Sequence, residues 1–353
     1  MNEQVAYPAD RLVAFATGLF RAAGLDEAKA GTVAGLLVEA DLMGHSTHGL
    51  QLAGPYLGEL EKGNMSTGGQ PAVVVDRGAC ITWDGQYLPG VWLTAEALDL
   101  ALERARTHGM ATVVIRRSHH IGCLAAYLPR ATAQDCMAII ASSDPAVSMV
   151  APYGGLKPLF TPDPIAIGIP TDGDPILIDM SASITTNGLS ARLHAEGRRF
   201  PGPWVMDPQG RPSDDPAVLF AEPPGTILPI GGREYGHKGY GLALMIEALT
   251  QALGGFGRAE APTGWGAAVF VQVLDPAAFG GREAFLRETS FTAAACRSNP
   301  PAPGVEAVRL PGQRALELRR RALAEGVRLY PGIMDGLRDW AEKLGVPLPA
   351  PIA

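Results

Sequence analysis

The stretch from Ala40 to Leu57, ADLMGHSTHGLQLAGPYL, carries the densest group of side chains that could do chemistry. Between Asp41 and His48 it holds two histidines, two hydroxyl residues and an aspartate. An imidazole titrates near neutral pH, so a histidine held at a tight turn beside a hydroxyl can act as a general acid or base. Such a group suits proton delivery to a developing alkoxide or amine.

Two other interpretations of this stretch stay open from the residues alone. His45 and His48 lie three positions apart, so one helical face could present both to a metal ion, as in a metal-assisted lyase or hydrolase. No carboxylate or third histidine follows at ligand spacing, and Gly44 and Gly49 interrupt the helix. The stretch could also be a polar helix C-terminus whose carbonyls accept hydrogen bonds from these side chains.

A second group, RRSHHIGCLAAY from Arg116 to Tyr127, follows the strand-like run ATVVI. A strand that leads into a helix exposes backbone N–H groups at the helix N-terminus, and these favour an anionic phosphate. Polar residues that merely close a strand–helix turn would explain the pattern equally well.

Two later stretches have the same ambiguity. LIDMSASITTNGL, residues 177–189, resembles a buried strand ending in Asp179, which could bind a ribose or an amide or could cap the next segment. GGREYGHKGYGLALMIEAL places His237 and Lys238 among glycines at the start of an apolar helix. Backbone and lysine could meet a phosphate there, or the helix could simply be capped.

Motifs of the common nucleotide-binding and hydrolytic folds are missing from the sequence. It contains no G-x-G-x-x-G, no G-x-x-x-x-G-K-[ST], no G-x-S-x-G and no H-E-x-x-H. A Rossmann fingerprint and a P-loop are therefore excluded. Any cofactor must be held by other means.

The elements that must position these groups fall into three regions. Residues 9–62 carry apolar residues at helical spacing, with Asp26 as a candidate N-cap. From residue 72, short β-branched runs alternate with helical stretches; the runs are AVVV, ACITWDG, ATVVIRR, MAIIASS, IAIGIP and ILIDM. Residues 190–233 are rich in Pro and Gly and predict a long ordered excursion, and residues 314–345 are helical again. The pattern predicts an α/β or α+β fold with the terminal helices packed together.

Composition narrows the class of protein. The 353 residues, 47% of them hydrophobic, predict one large or two moderate domains. A net charge of -7 argues against nucleic acid or an anionic membrane as partner. Four scattered cysteines without a CxxC pair are typical of free thiols in a reducing cytoplasm. With no secretory signal and no apolar run near the ~18 residues of a membrane span, we expect a soluble cytoplasmic protein with a small-molecule substrate.

Taken in order, these stretches resemble one known family. DLMGHSTHG, WDG, SHHIG, APYGG…TPDPIAIGIP, IDMSAS, GHKGYGLALM and RLPGQRALELRRRALAEGV resemble the malate/L-lactate dehydrogenase family of NAD(P)-dependent oxidoreductases, from about residue 10 to residue 345. The resemblance implies a non-Rossmann NAD(P)-binding α/β domain with a mixed or largely antiparallel sheet over residues 76–299. It also implies a helical domain from residues 1–75 and 300–353, NAD or NADP as cofactor, and a homodimer.

The resemblance also implies roles for residues of this sequence. His48 corresponds to the proton donor to a substrate carbonyl or imine, and Thr47 replaces the family's serine and would orient it. The positions that match cofactor contacts are His120, Ile121, Gly122, Cys123, Leu124, Asp179, Met180, Ser181, Lys238, Gly239, Arg309, Pro311, Gly312, Gln313 and Arg314. Leu52, Thr161 and Asn187 match substrate contacts. The implied reaction is hydride transfer between the nicotinamide and a small 2-hydroxy or 2-oxo acid, a related amide or a cyclic imine.

Three positions depart from the family pattern. Leu52 stands where many members carry an arginine that clamps a carboxylate. Leu189 replaces the acid of a Ser-His-Asp relay, and Asn187 a residue that is often basic. A buried carboxylate without a cation is costly, so either Arg192 or Lys157 takes over or the substrate carries a less charged group. A catalytically silent relative that binds a ligand is a further alternative, and nothing in the sequence decides NAD from NADP.

Overall fold

The computed structural model describes residues 5–352. The eleven α-helices of these residues are α1 (Ala9–Ala22), α2 (Glu27–Leu42), α3 (Ala53–Glu61), α4 (Gly90–His108), α5 (Leu128–Thr132), α6 (Asn187–Ala195), α7 (Gly232–Tyr235), α8 (His237–Glu247), α9 (Arg282–Ser298), α10 (Gln313–Glu325) and α11 (Ile333–Leu344). The twelve strands of the same part of the chain are β1 (Ala6–Tyr7), β2 (Ala72–Asp76), β3 (Cys80–Asp84), β4 (Met110–Ser118), β5 (Met137–Ser143), β6 (Pro164–Ile169), β7 (Ile176–Ser181), β8 (Val205–Met206), β9 (Pro212–Ser213), β10 (Thr226–Ile227), β11 (Ala267–Leu274) and β12 (Val327–Arg328).

A seven-stranded sheet in the order β2-β3-β4-β11-β5-β6-β7 forms the centre of the molecule. Only the β3–β4 pair of this sheet is parallel, with α4 as its crossover, and every other neighbouring pair is antiparallel. The expected fold class, an α/β arrangement with a mixed and largely antiparallel sheet, is confirmed.

The central strand β11 was not among the predicted strands. Its sequence, AAVFVQVL, is an almost continuous apolar run that is buried on both faces of the sheet. Such a run lacks the alternation that marks a half-buried strand. Its partners β4 and β5 also lie far upstream, so its place between them depends on long-range pairing.

One edge of this sheet gathers the loops that form the functional site. Ser118 at the end of β4 pairs with Ala267 at the start of β11, and Ser143 at the end of β5 pairs with Ala268. At the same edge Pro164 at the start of β6 pairs with Ser181 at the end of β7. The segments after β4, β5 and β7 and before β6 and β11 must therefore emerge together.

Hydrophobic cores fill both faces of the sheet, because successive strand residues point to opposite sides. Val113, Ile115 and Val271 face a large core that also contains α1–α4 and α11. Val114 and Phe270 face a second core beneath α8 and the small β10-β8-β9 sheet. This small sheet, together with α6, is the ordered structure of the Pro- and Gly-rich region.

The terminal helices pack against one another, as the sequence predicted. α11 contacts α1 and α3, α10 contacts α2, and β1 pairs with β12. Asp26 caps α2 by accepting the Lys29 N–H at 2.8 Å. The domain boundaries after residues 75 and 299 stay a prediction, and residues 1–4 and 353 of the proposed helical domain lie outside the described residues.

No helix within residues 5–352 is long and apolar enough to cross a membrane. The cytoplasmic location stays a prediction.

Candidate active site

A cavity of about 780 Å³ opens at the sheet edge where the loops meet. Residues of the turn after α2, the loop after β4, the ends of β5 and β7 and the start of α6 line it, with Trp204 and Trp265 completing the wall. The predicted site residues that the structure brings together here are Thr47, His48, Leu52, His120, Ile121, Gly122, Cys123, Leu124, Thr161, Asp179, Met180, Ser181 and Asn187.

The turn that carries His48 is fixed by a buried carboxylate. α2 ends at Leu42, and the Asp41 carboxylate accepts the Leu50 N–H at 2.7 Å on the far side of the turn. A Cβ at Gly49 would lie 2.4 Å from that carboxylate, so the close approach requires glycine. Burial raises the pKa of Asp41 to about 7, against the lowering effects of the Leu50 N–H and the Arg192 charge.

His48 is held as a neutral imidazole. The Thr47 hydroxyl is hydrogen-bonded to His48 Nδ1 at 2.9 Å. Burial lowers the pKa of His48 to about 4, and the charges of His45 and Arg192 add to the effect. Near neutral pH the ring is therefore unprotonated in the free protein and can accept a proton.

A second imidazole lies beside the first. The His48 and His120 rings are stacked with centroids 6.0 Å apart, and Trp265 lies 4.8 Å from the His120 centroid. Tyr56 Oη is hydrogen-bonded to His120 Nδ1 at 2.7 Å. Burial holds the pKa of His120 well below its usual value. No role was predicted for Tyr56, although it lies within the Ala40–Leu57 stretch, or for Trp265, which lies outside the polar stretches.

The loop after β4 meets the end of β7 at one wall of the cavity. The Asp179 carboxylate accepts the Ala125 N–H at 2.8 Å, and the Cys123 thiol lies 3.8 Å from the same oxygen. The sequence predicted that backbone N–H groups of this segment could bind a phosphate. One of them, that of Ala125, instead donates to the Asp179 carboxylate. Asp179 is open to the cavity yet otherwise surrounded by protein, and this burial raises its pKa.

Two groups of predicted cofactor residues lie outside the cavity lining of this chain. Lys238 is exposed at the start of α8, and Gly239 packs so tightly that a Cβ would lie 2.4 Å from the Ile230 nitrogen. The loop before α10 contains the others, namely Arg309, Pro311, Gly312, Gln313 and Arg314. In this loop Pro311 accepts the Leu177 N–H at 3.1 Å, and both arginines are exposed.

The cations proposed as substitutes for an arginine at position 52 also lie outside this cavity. Lys157 is exposed on the surface. Arg192 faces a second cavity of about 700 Å³, where its guanidinium lies 3.7 Å from the Tyr330 ring centroid. It also donates to Ser46 Oγ at 3.1 Å and to Gln51 Oε1. Leu189, in place of an acid, lines the main cavity.

Several lining residues were missed in the sequence. Ser143 and Asp144 come from MAIIASSD, a strand that ends in hydroxyls and an acid just as ILIDMS does, so the same signal could have found them. Thr185 Oγ1 and Asn187 Oδ1 are buried without a hydrogen-bond partner in the described part of the chain. Within residues 5–352, His45 and His48 belong to no group of three or more residues able to hold a metal ion.

Comparison with known proteins gives this arrangement its class. The chain is 32% identical to the (2R)-3-sulfolactate dehydrogenase (NADP(+)) of Chromohalobacter salexigens, over 92% of this chain and 95% of the relative. It is 30% identical to the L-lactate dehydrogenase of Cupriavidus necator, over 90% and 91%. The malate dehydrogenase structure from Entamoeba histolytica superimposes with a TM-score of 0.93 at 24% identity, over 99% of this chain and 100% of that one, and shows the shared fold.

Fold, cavity and relatives together define a dehydrogenase that acts on CH–OH groups. The family model described as malate/L-lactate dehydrogenase matches residues 7–338, and the chain belongs to that family of NAD(P)-dependent 2-hydroxyacid dehydrogenases.

Proposed function

We propose that this chain interconverts a small 2-hydroxy compound and its 2-oxo form, as the acid or a related amide, or reduces a cyclic imine, with His48 as the general acid/base. The observation that carries the proposal is the neutral His48 imidazole, bonded to Thr47 at 2.9 Å and lining the main cavity. A positioned base that is unprotonated near neutral pH can take the hydroxyl proton during oxidation.

The hydrogen bond from Thr47 indicates which nitrogen of the His48 ring exchanges the proton with the substrate. Because the Thr47 hydroxyl engages Nδ1, the remaining nitrogen, Nε2, is the one left for the substrate. Asp41 holds the turn in place through Leu50, and Thr47 fixes the ring orientation. In the direction of reduction the same nitrogen delivers the proton, which a bound anion near the ring would favour by raising the His48 pKa.

The cavity suits a nicotinamide cofactor by its size and by its unpaired polar atoms. Thr185 Oγ1 and Asn187 Oδ1 are buried without partners among the described residues, as expected of atoms that bind a ligand. We propose that residues 120–124 and 179–181 hold the cofactor, with Lys238, Gly239 and the loop of residues 309–314 as further contacts. When bound, the nicotinamide would supply the hydride chemistry, whereas the protein supplies orientation and the proton.

The choice between NAD and NADP, and the homodimer implied by the family resemblance, belong to the same proposal. The (2R)-3-sulfolactate dehydrogenase named above is NADP(+)-linked. Exposed Arg309 and Arg314 are cations that a 2′-phosphate could use. Parallel titrations with NADH and NADPH would decide the cofactor, and light scattering would decide the oligomeric state.

The experiment is a reduction screen with both cofactors against 2-oxo acids, 2-oxo amides and esters, and cyclic imino acids, followed at the nicotinamide absorbance. We expect turnover with at least one of these classes, unaffected by a metal chelator. Cofactor binding without turnover across the panel would favour the catalytically silent alternative. Turnover that disappears with chelation would favour a metal-assisted enzyme.

A further inference from the structure

One wall of the main cavity has a hydrogen-bonding character that the proposed chemistry does not use. Ser143, at the end of β5, and Thr161, just before β6, both line the cavity. Each hydroxyl has an acid behind it. Ser143 Oγ donates to Glu247 Oε1 at 2.6 Å, and Thr161 Oγ1 donates to Asp163 Oδ1 at 2.5 Å.

The Ser143 proton is firmly committed. Arg258 donates to both Glu247 oxygens, at 3.0 and 2.8 Å, and the Ser143 hydroxyl donates to the same carboxylate. Gln251 Nε2 in turn donates to Ser143 Oγ at 2.8 Å. A serine hydroxyl has one proton and two lone pairs. The Ser143 proton is donated to Glu247, and one Ser143 lone pair accepts the Gln251 N–H. Only the second lone pair of Ser143 is then left for a ligand in the cavity.

Thr161 is in the same position as long as Asp163 is ionised. Asp163 is fully buried, and its Oδ2 has no hydrogen-bond partner within residues 5–352. The neighbouring Asp144 carboxylate also lines the cavity and already accepts the Ala146 N–H at 2.9 Å. As long as Asp163 and Asp144 are ionised, Ser143, Thr161 and Asp144, here called the acceptor group, present lone pairs and no proton to a ligand.

We propose that the acceptor group binds a hydrogen-bond donor of the ligand, such as a carboxamide NH₂ or a hydroxyl, and disfavours a carboxylate at that position. The inference rests on the proposed function in taking this cavity as the dehydrogenase site. Two bound molecules could carry such a donor, the carboxamide of the nicotinamide ring and a neutral substrate. A carboxylate has lone pairs alone, so facing the acceptor group it would be repelled rather than bound.

The donor preference depends on the charge of Asp163. The groups that face Asp163 are Thr161, Ser143, Glu247 and Arg258. Burial and the Glu247 charge raise the pKa of Asp163 to about 7, against the lowering effects of Thr161, Arg258 and Ser143. Once protonated, Asp163 can donate to Thr161, whose own proton then becomes free for a ligand acceptor. The preference for a donor should therefore weaken as the pH falls below about 7.

The first arm of the test measures cofactor binding by calorimetry. The probes are NADH and its reduced 3-acetylpyridine analogue, in which a methyl group replaces the carboxamide NH₂. Wild type, Thr161→Val and Ser143→Ala are compared with Thr112→Val, an isosteric control on β4 outside the cavity. If the nicotinamide is the donor, the wild type and the control should prefer NADH by about 3- to 10-fold, and each cavity variant should lose most of that ratio.

The second arm compares kcat/KM for a 2-oxo amide and the 2-oxo acid of the same carbon skeleton. If the substrate is the donor, Thr161→Val should lower the amide-to-acid ratio by about 3- to 10-fold, and Asp163→Asn should remove its decline below pH 7. A change confined to one arm identifies the donor and supports the proposal. Folded Thr161→Val and Ser143→Ala proteins that change neither ratio would overturn it. The binding arm needs no turnover, so failure of the proposed function is distinguished from failure of this inference.

Discussion

Two cavities of similar size, about 780 and 700 Å³, share Gly188 in their linings and differ in the kinds of polar side chain that line them. Imidazoles, hydroxyls and carboxylates line the main cavity, and no arginine or lysine of residues 5–352 does. The second cavity, between α3, α6 and α11, has Arg192 and Glu196 with aromatic rings around them. Proton-transfer groups and the available cation are thus placed in separate compartments.

Arg192 does not line the main cavity, but its electric field reaches the residues there. Arg192 is occupied by Ser46, Gln51 and the Tyr330 ring, so it is not free to clamp a ligand in the main cavity. Its charge nevertheless lowers the pKa of both His48 and Asp41. Within residues 5–352 the main cavity is thus lined by no lysine or arginine, and the charge of Arg192 acts on its histidine from the second cavity.

Moving a cation into the main cavity should break this division most strongly. Leu52→Arg places a guanidinium one turn from His48, where it can pair with a substrate carboxylate. We expect kcat/KM for a 2-oxo acid to rise about 10- to 100-fold relative to the matching 2-oxo amide. Leu52→Met, equally unbranched but uncharged, should leave that ratio near the wild-type value. An unchanged ratio in the arginine variant would show that the substrate carboxyl lies elsewhere.

Asp41, which holds the His48 turn, should link the main cavity to the stability of the protein. Its folded pKa of about 7 lies above the ordinary value of 3.8, so the folded state holds the proton more tightly than the unfolded state. The carboxylate therefore destabilises the fold increasingly as the pH rises from about 4 to about 7. Between pH 5 and 8, Asp41→Asn should gain about 1–3 kcal/mol in free energy of unfolding relative to wild type.

The measurement for Asp41→Asn is urea unfolding at several pH values. Asp10→Asn, on the exposed start of α1, serves as the matched control and should run parallel to wild type. A constant difference between Asp41→Asn and wild type across this range would mean that Asp41 has an ordinary pKa.

Removing the cation of the second cavity should have the smallest effect. Arg192→Met keeps the length of the side chain but loses the hydrogen bonds to Ser46 and Gln51 and the charge felt by His48. Because neither hydrogen-bond partner lines the main cavity and the field is partly screened, kcat should stay within about threefold of wild type. Losing a nearby positive charge makes His48 easier to protonate. The acidic limb of the pH–rate profile should therefore move upward, whereas exposed Arg198→Met leaves it in place. A downward movement would contradict the coupling.

The sequence predicted the parts of the fold and site that depend on local signals. The Asp26 cap, the terminal helices and the six β-branched runs of the sheet follow from short-range patterns, and the motifs between His48 and Ser181 converge on one cavity. Local patterns did not reveal β11, whose apolar run lacks alternation, or helix α9, in which Ala293 alone is buried. The division of polar groups at Gly188 and the acids behind Ser143 and Thr161 arise from long-range contacts, which no local pattern encodes.

In the proposed function, the imidazole of His48, in the main cavity, carries the proton of the reaction. The most direct measurement is the turnover of His48→Ala with and without added imidazole, with cofactor affinity measured alongside. We predict a loss of about 10²- to 10⁴-fold, a nearly unchanged cofactor Kd, and partial recovery that saturates with imidazole. Wild-type turnover in His48→Ala would contradict the account, because another group would then move the proton.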